Sequence, residues 1–192
     1  MPFPSPPAYC IRRGRLGWVI VFWLVFEGKP KICRVCLSGP SSSPENMLAA
    51  AAITSRPGIC REIKEIADRL EAFLNGVALT FSLDLVLLQQ GSRFHQAVWR
   101  ADHGIPRGWV STYQLIARFI GNPQAGRAVG KALAANPFPI IIPCHRVIRA
   151  DRALGGFQGG QALKRALLEA EGIIFDHGGR VQVDSFYYNF KN

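Results

Sequence analysis

The chain has 192 residues, 48% of them hydrophobic, which makes it globular with room for one ordinary domain or two small ones. Its net charge of +10 is unevenly placed: residues 1–91 hold ten Lys or Arg against seven Asp or Glu, and residues 92–192 hold thirteen against six. A basic carboxy-terminal half suits a polyanion, although a merely solvated basic surface accounts for the same charge. The five cysteines, Cys10, Cys33, Cys36, Cys60 and Cys144, are odd in number and too sparse for the disulfide scaffold of a small secreted domain, so reduced thiols inside a cell are expected.

In chain order, residues 1–9, "MPFPSPPAY", are too rich in proline to join a core and are expected as a loose tail. The stretch "IRRGRLGWVIVFWLVFEGK" imitates a targeting signal, with a basic start and an apolar run. No small-residue cleavage site follows, and the run is too short for a bilayer. Bounded by Gly17 and Gly28 and rich in Val, Ile, Phe and Trp, it reads better as a buried strand, with "KICRVCL" as a second strand after a turn at Glu27 to Pro30. "LSGPSSSPEN" is a loop by composition. Residues 61–75 place Ile63, Ile66, Leu70, Phe73 and Leu74 on one helical stripe with Gly76 as the C-cap, and "VALTFSLDLVLL" suggests another strand.

The character changes near Gln90. Ser92 can cap a helix that carries Phe94 and Val98 inward and ends at Gly104. "VSTYQLIARF" and "QAGRAVGKALAA" then read as two short helices around "IGNP", with Pro123 opening the second, the outline of a helix-turn-helix. Ala125, Ala128, Ala132 and Ala135 share a face of the second helix beside Arg127 and Lys131, with Val129 and Leu133 on another. That face lacks the side chains that read base edges in a major groove; it suits close approach to a minor groove with Arg127 as a wedge, or packing against another helix. Next, "RVIRA" and "ALGGF" can pair as a hairpin around Asp151 and Arg152, and "QALKRALLEAEG" forms a helix with Leu163, Leu167 and Ala170 inward. "RVQVDSFYYNFKN" can add a final strand.

The chemistry gathers at "NPFPIIIPCHRVIRA", residues 136–150, where an apolar run delivers Cys144 beside His145, Arg146 and Arg149. A free thiol has a pKa of about 8.5 and so needs a base or a positive field to become a nucleophile at neutral pH. Adjacent side chains diverge, so His145 is expected to act through a bridging water, oriented by Asp151, Glu169 or Glu171. An inert buried thiol is the competing reading.

"IIIPCHRVI", preceded by "GRAVGKALAANP" and followed by "LGGFQGG" and "LLEAEG", resembles the O6-alkylguanine-DNA alkyltransferase family over about residues 92–175. The resemblance implies an α+β, two-domain protein: a mixed-sheet amino-terminal domain over residues 1–90 and, over 91–192, an alkyl-acceptor domain with a winged helix-turn-helix. It implies a monomer, without cofactor or membrane, that moves the alkyl group of O6-alkylguanine, or of O4-alkylthymine, in double-stranded DNA onto its own cysteine, once. The place of work would be the cytoplasm of a prokaryote or the nucleus of a eukaryote.

By the same resemblance Cys144 is the acceptor, His145 the water-mediated base, Glu171 its orienting carboxylate and Asn136 the brace of the cysteine turn. Tyr113 assists flipping and supplies a proton to the departing guanine. Arg127 fills the gap in the base stack, on a helix that meets DNA through Ala125, Gly126, Ala128, Gly130 and Lys131. The carbonyls of Cys144 and Val147 would hold the guanine amino group, while Phe157 and Gln158 line the pocket with Gly155 and Gly159 making room. Phe157 stands where many members have Tyr, and Gln158 where a small hydroxyl residue can hold the alkylated oxygen. Some members carry a zinc site in the first domain; here Cys33 and Cys36 are three apart on a predicted strand and should face opposite sides. A non-catalytic sensor of alkylguanine with the same fold is the rival reading, opposed by the presence of Cys144.

Overall fold

The computed structural model of the chain describes residues 6–189. They fall into two compact units, one taking the chain as far as Gln90 together with Pro137–Ile141, the other Gly91–Asn136 and the chain from Ile142 onward. Among the described residues no helix is long and apolar enough to cross a membrane.

In the first unit β1 (Ala8–Gly14), β2 (Gly17–Phe26), β3 (Lys29–Ser38) and β4 (Arg56–Pro57) form one sheet in the order β3-β2-β1-β4. All neighbours are antiparallel except β1 and β4. Strand β2 is central, and its run Val19 to Phe22 is fully buried, which is why so many consecutive apolar residues occur there. Glu27 and Gly28, both at positive φ (49° and 73°), make the two-residue turn into β3 that matches strand twist. Helix α1 (Pro44–Ala51) is capped by the Ser43 side chain, and α2 (Arg61–Leu74) buries Ile63, Ile66, Leu70, Phe73 and Leu74.

Four expectations for this unit are corrected. Ala8 and Tyr9 are not tail but the start of β1, where they pair with Trp23 and Phe22, and Pro7 before them is buried and accepts from the Arg56 backbone; residues 1–5 of the expected tail lie outside the described residues. Pro44 to Asn46 open a helix rather than extend a loop, because Ser43 caps it and Pro44 suits its first turn. "VALTFSLDLVLL" forms no strand: Ser82 accepts a hydrogen bond from the Asp84 backbone and bends the chain into a 3-10 turn, Leu83–Leu85, leaving a single bridge from Val86 to Ile32. The β2–β3 register slips between Phe22 and Trp23, so a bulge at Cys33 cancels the strand parity, and Cys33 and Cys36 join one buried cluster. The cysteines are free thiols, and the described residues hold no group of three or more His, Cys, Asp or Glu arranged for a metal.

The second unit begins with α3 (Arg93–His103), whose N-cap Ser92 accepts from the His95 backbone at 3.2 Å. Its inner face carries Val98, Trp99, Ala101 and Asp102, with Phe94 only half-buried. The two-residue strand β5 (Ser111–Thr112) leads into α4 (Tyr113–Phe119), capped by Thr112, and then α5 (Gly126–Ala134). Pro123 does not open α5: it lies in the preceding turn, where its carbonyl accepts from Gln114. Strand β6 (Val147–Ile148) pairs in parallel with β5. The expected hairpin is therefore only a tight turn, held by Arg149 N to Ala153 O at 2.9 Å. Helix α6 (Gly160–Ala170) buries Leu163, Lys164, Leu167 and Leu168, with Ala170 half-buried, and β7 (Ile174–Phe175) pairs with β8 (Val181–Gln182). Val110, Ile148, Leu168, Ile173 and Val181 form a core cluster beneath these elements.

Candidate active site

Asn136 lies two residues beyond the end of α5, and after Pro143 the chain makes a single 3-10 turn, Cys144–Arg146. The buried Asn136 side chain spans that turn: its Nδ2 donates to the Ile142 carbonyl at 3.0 Å and reaches Cys144 Sγ at 3.3 Å. The residue therefore fixes the backbone just before the cysteine and presents a donor to the sulfur.

Cys144 is half-buried, its open side lining a cavity of about 290 Å3 with Tyr113, Gly130, Leu133, Asn136, Gly156, Phe157 and Gln158 among the walls. Surrounding protein desolvates the thiol and pushes it up, to about 12; the charge of Asp102 adds to this, while Asn136 and Lys164 oppose it. At neutral pH the resting sulfur is a thiol, and its activation needs a proton path.

His145 points into the protein, with no exposed surface, and shares a 3.0 Å hydrogen bond between Nε2 and Glu171 Oε1. Of the three carboxylates the sequence left open, Asp151 is paired with Arg149 at 2.8 Å and Glu169 with Arg165 at 2.8 Å, so Glu171 is the one that meets the histidine. Burial lowers the His145 pKa below its ordinary value despite Glu171, which leaves a neutral imidazole. Burial also opposes ionisation of Glu171, but hydrogen bonds and charge from His145 and Arg146 outweigh it and hold the carboxyl below its usual range. With His145 neutral, the charge that matters is that of Arg146, whose Nε and Nη2 grip both carboxylate oxygens at 2.9 and 2.8 Å. Its Nη1 donates to the Ile105 carbonyl at 2.7 Å. Arg146 is thus a structural clamp, not a source of positive field for the thiol as its proximity in sequence suggested.

Lys164 escaped sequence reasoning because an ammonium on the inner stripe of an amphipathic helix looks like a surface residue. Burial pushes it down to about 8, and its Nζ donates to the Val147 carbonyl at 2.7 Å. One of the two carbonyls expected to receive a base is therefore already engaged by Lys164; the other, Cys144, accepts from the Val147 backbone.

Tyr113 begins α4 and faces the cavity; burial and then the charge of Cys144 raise its hydroxyl pKa, so it keeps its proton. Gly155, at φ +74°, is required beside it, since an added Cβ would lie 2.8 Å from the Tyr113 hydroxyl. Room in the cavity is made by Gly130 and Gly156 rather than by Gly155 and Gly159, which do not line it; a Cβ at Gly159 would strike Leu163 at 2.5 Å. Val147 is fully buried away from the cavity, Phe157 stacks edge-on to His145 with centroids 6.3 Å apart, and Gln158 is exposed at the wall.

The alanine face of α5 is not continuous. Ala132 is buried with Val129 and Leu133, its carbonyl accepting from Trp99 Nε1 at 2.9 Å, because a helix packed on α3 and α4 turns that edge inward. The outer face comprises Arg127, Ala128, Lys131, Ala134 and Ala135, with Ala125 and Gly126 half-buried at the start of the helix. Beside the cavity, and sharing Tyr113 and Gly130 with it, runs an open groove lined by Arg127, Arg149, Gln114 and Gln124.

Residues 93–173 match the family described as "6-O-methylguanine DNA methyltransferase, DNA binding domain". The chain is 40% identical over 146 residues to a methylated-DNA–protein-cysteine methyltransferase of Rattus norvegicus, covering 71% of this chain and 70% of that one. It is 48% identical over 105 residues to one of Haemophilus influenzae, covering 55% and 58%. Among solved structures it is similar to the Mycobacterium tuberculosis O6-methylguanine methyltransferase, with TM-score 0.67 and 34% identity over 86% of this chain and 92% of that one. A structure of that organism's OGT in complex with DNA gives TM-score 0.67 and 35% identity over 85% and 92%.

Proposed function

The chain belongs to the methylated-DNA–protein-cysteine methyltransferase family, and from that we propose that it repairs DNA by taking the alkyl group of O6-alkylguanine onto Cys144. The observation that carries the assignment is the junction of a cavity-lining thiol, the Asn136 donor at 3.3 Å and the buried His145–Glu171 pair. With Nε2 committed to Glu171, the proton of Cys144 is received through water at Nδ1 of the neutral imidazole. The sulfur attacks the alkyl carbon, a carbon–sulfur bond forms as the carbon–O6 bond breaks, and the electron pair leaves on guanine, which takes a proton from the Tyr113 hydroxyl. The thioether product has no leaving group to regenerate the thiol, so each molecule acts once.

The nucleotide reaches the cavity by rotating out of the duplex, at a cost of roughly a few kcal/mol that is smaller for a mispaired base. Arg127 on the outer face of α5 takes its place in the stack, and the small residues around it allow that helix to approach a minor groove. The basic surface contributes phosphate contacts without sequence preference. In this reading residues 91–192 are the catalytic and DNA-binding domain, residues 1–90 are a separate domain, and the protein works wherever the cell keeps its DNA.

The test is to incubate the protein with duplex DNA containing O6-methylguanine and measure its intact mass, with Cys144→Ala as the control. The expected result is one added methyl per protein, mapped to the peptide bearing Cys144, and none in the variant, which still binds DNA. Binding without any mass increase in the unaltered protein overturns the assignment in favour of a sensor; methylation of Cys144→Ala moves the acceptor to another cysteine.

A further inference from the structure

Asp102 has no part in the chemistry described so far. It lies in the last turn of α3 with no exposed surface, and neither carboxyl oxygen has a hydrogen-bond partner among the described residues. A carboxylate left in that state pays a large desolvation penalty, so the group is stable there only with its proton on. An apolar residue of similar size would fill the same space at no such cost, and a buried group that lowers stability is a candidate for a task.

The groups around Asp102 are those of the active site. Helix α3 packs against the Cys144–Arg146 turn, and Arg146 is anchored to the Ile105 carbonyl, three residues beyond Asp102. Arg146 and Lys164 face it with positive charge, from that turn and from α6. Cys144, Tyr113 of α4 and Tyr188 near the carboxy terminus each respond to its charge. His103 is its neighbour on α3 itself. Arg146 is already neutralised by both oxygens of Glu171, whereas Lys164 donates to the carbonyls of Val147 and Gly156, which carry no net charge. Burial pushes Asp102 up to about 8 against the pull of Arg146 and Lys164, so its charge appears only in mildly alkaline solution.

We propose that Asp102 is a positioning residue for alkyl acceptance: as a neutral acid it leaves the Cys144 sulfur free to ionise, and once ionised its own negative charge opposes the thiolate and slows the sulfur. No bond forms between Asp102 and the cysteine; the only chemical change is loss of the Asp102 proton to solvent. The proposal rests on Cys144 being the nucleophile.

Two measurements test it. In the first, the infrared band of a protonated carboxylic acid is sought in the full-length protein; it is expected at neutral pH, lost on raising the pH beyond about 8, and absent from Asp102→Asn. In the second, the rate at which iodoacetamide labels Cys144, forming a thioether and releasing iodide, is followed by peptide mass mapping between pH 6.5 and 10. Lys164 titrates in the same range, so this comparison is made in a Lys164→Met background, or in Lys164→Arg, a cation at every pH, should the first fail to fold. Adding Asp102→Asn is expected to leave the rate unchanged at the acid end and to raise it about ten-fold at the alkaline end, where a negative charge opposes the thiolate in the parent and not in the variant. A ratio that stays flat across the range, or no protonated-acid band at neutral pH, overturns the proposal. Because labelling needs no DNA, a protein that took no methyl from O6-methylguanine would overturn the repair function while still reporting on Asp102.

Discussion

Replacing Glu171 by glutamine keeps the shape of the buried clamp and removes its charge. In the native site both Glu171 oxygens accept from Arg146, at 2.8 and 2.9 Å, and one also meets His145 at 3.0 Å. A carboxamide offers one oxygen and one NH2 group, so at least one of these donors then faces another donor, and the Arg146 cation is left buried without a counter-charge. Breaking a buried pair from one side costs about 3–5 kcal/mol. With a urea dependence of about 2 kcal/mol per molar, the unfolding midpoint should drop by about 1.5–2.5 M at pH 7. The sign with pH follows from the lowered pKa: Glu171 contributes stability above the ordinary carboxyl value, about 4.3, and loses it as pH falls through the depressed native value. The gap between Glu171→Gln and the unaltered protein should therefore be widest at neutral pH and narrow steadily below about pH 4. Transfer by folded Glu171→Gln should also be slower by about a hundred-fold, since the imidazole tautomer is no longer dictated by a pure acceptor. Urea titrations at a series of pH values, followed by circular dichroism, measure the first effect. A variant within 1 kcal/mol of the unaltered protein at pH 7, or a deficit that does not change with pH, would refute the reasoning on the clamp.

Arg127→Ala should weaken repair in duplex DNA far more than reaction with free O6-alkylguanine base, because only the duplex has a stack to refill; equal losses on both substrates would remove the wedge from the account. Gly155→Ala places a methyl 2.8 Å from the Tyr113 hydroxyl at a φ of +74°, and should cost about 1–3 kcal/mol of stability together with a slower transfer step. Thermal unfolding and single-turnover rates check it, and a variant that matches the parent in both would show that Tyr113 is not confined there.

The reactive centre was legible in the sequence because its parts lie close in the chain. Asn136 and Cys144 are braced across one short loop, and Glu171 follows α6 at a distance the helix fixes. Which carboxylate faces His145 was open among three, and it was decided by competition: Arg149 and Arg165 occupy Asp151 and Glu169 locally, leaving Glu171 for the buried site. The helix stripes of α2 and α6 were equally plain, since periodic apolar residues need no distant partner to be recognised. The alanine face of α5 left two readings open, approach to a groove or packing on a helix, because side-chain size says which residues can approach closely but not which neighbour they approach; α3 and α4 claimed Ala132.

By itself the sequence determined the local choices: which segments are apolar at helical or strand spacing, where caps and turns fall, and that a cysteine, a histidine and a carboxylate occur in a recognisable order. Only the tertiary structure decided what the long-range partners do. The bulge at Cys33 reversed a parity that the strand alone would have kept, the 3-10 turn at Ser82 left one bridge to β3 where a strand was expected, and Lys164 and Asp102 became buried although their residue types usually lie at the surface. The reason is that local structure is set by neighbours a few residues away, whereas burial and charge state are set by whatever the fold brings within a few ångströms, and such contacts join positions as far apart as residues 101 and 188.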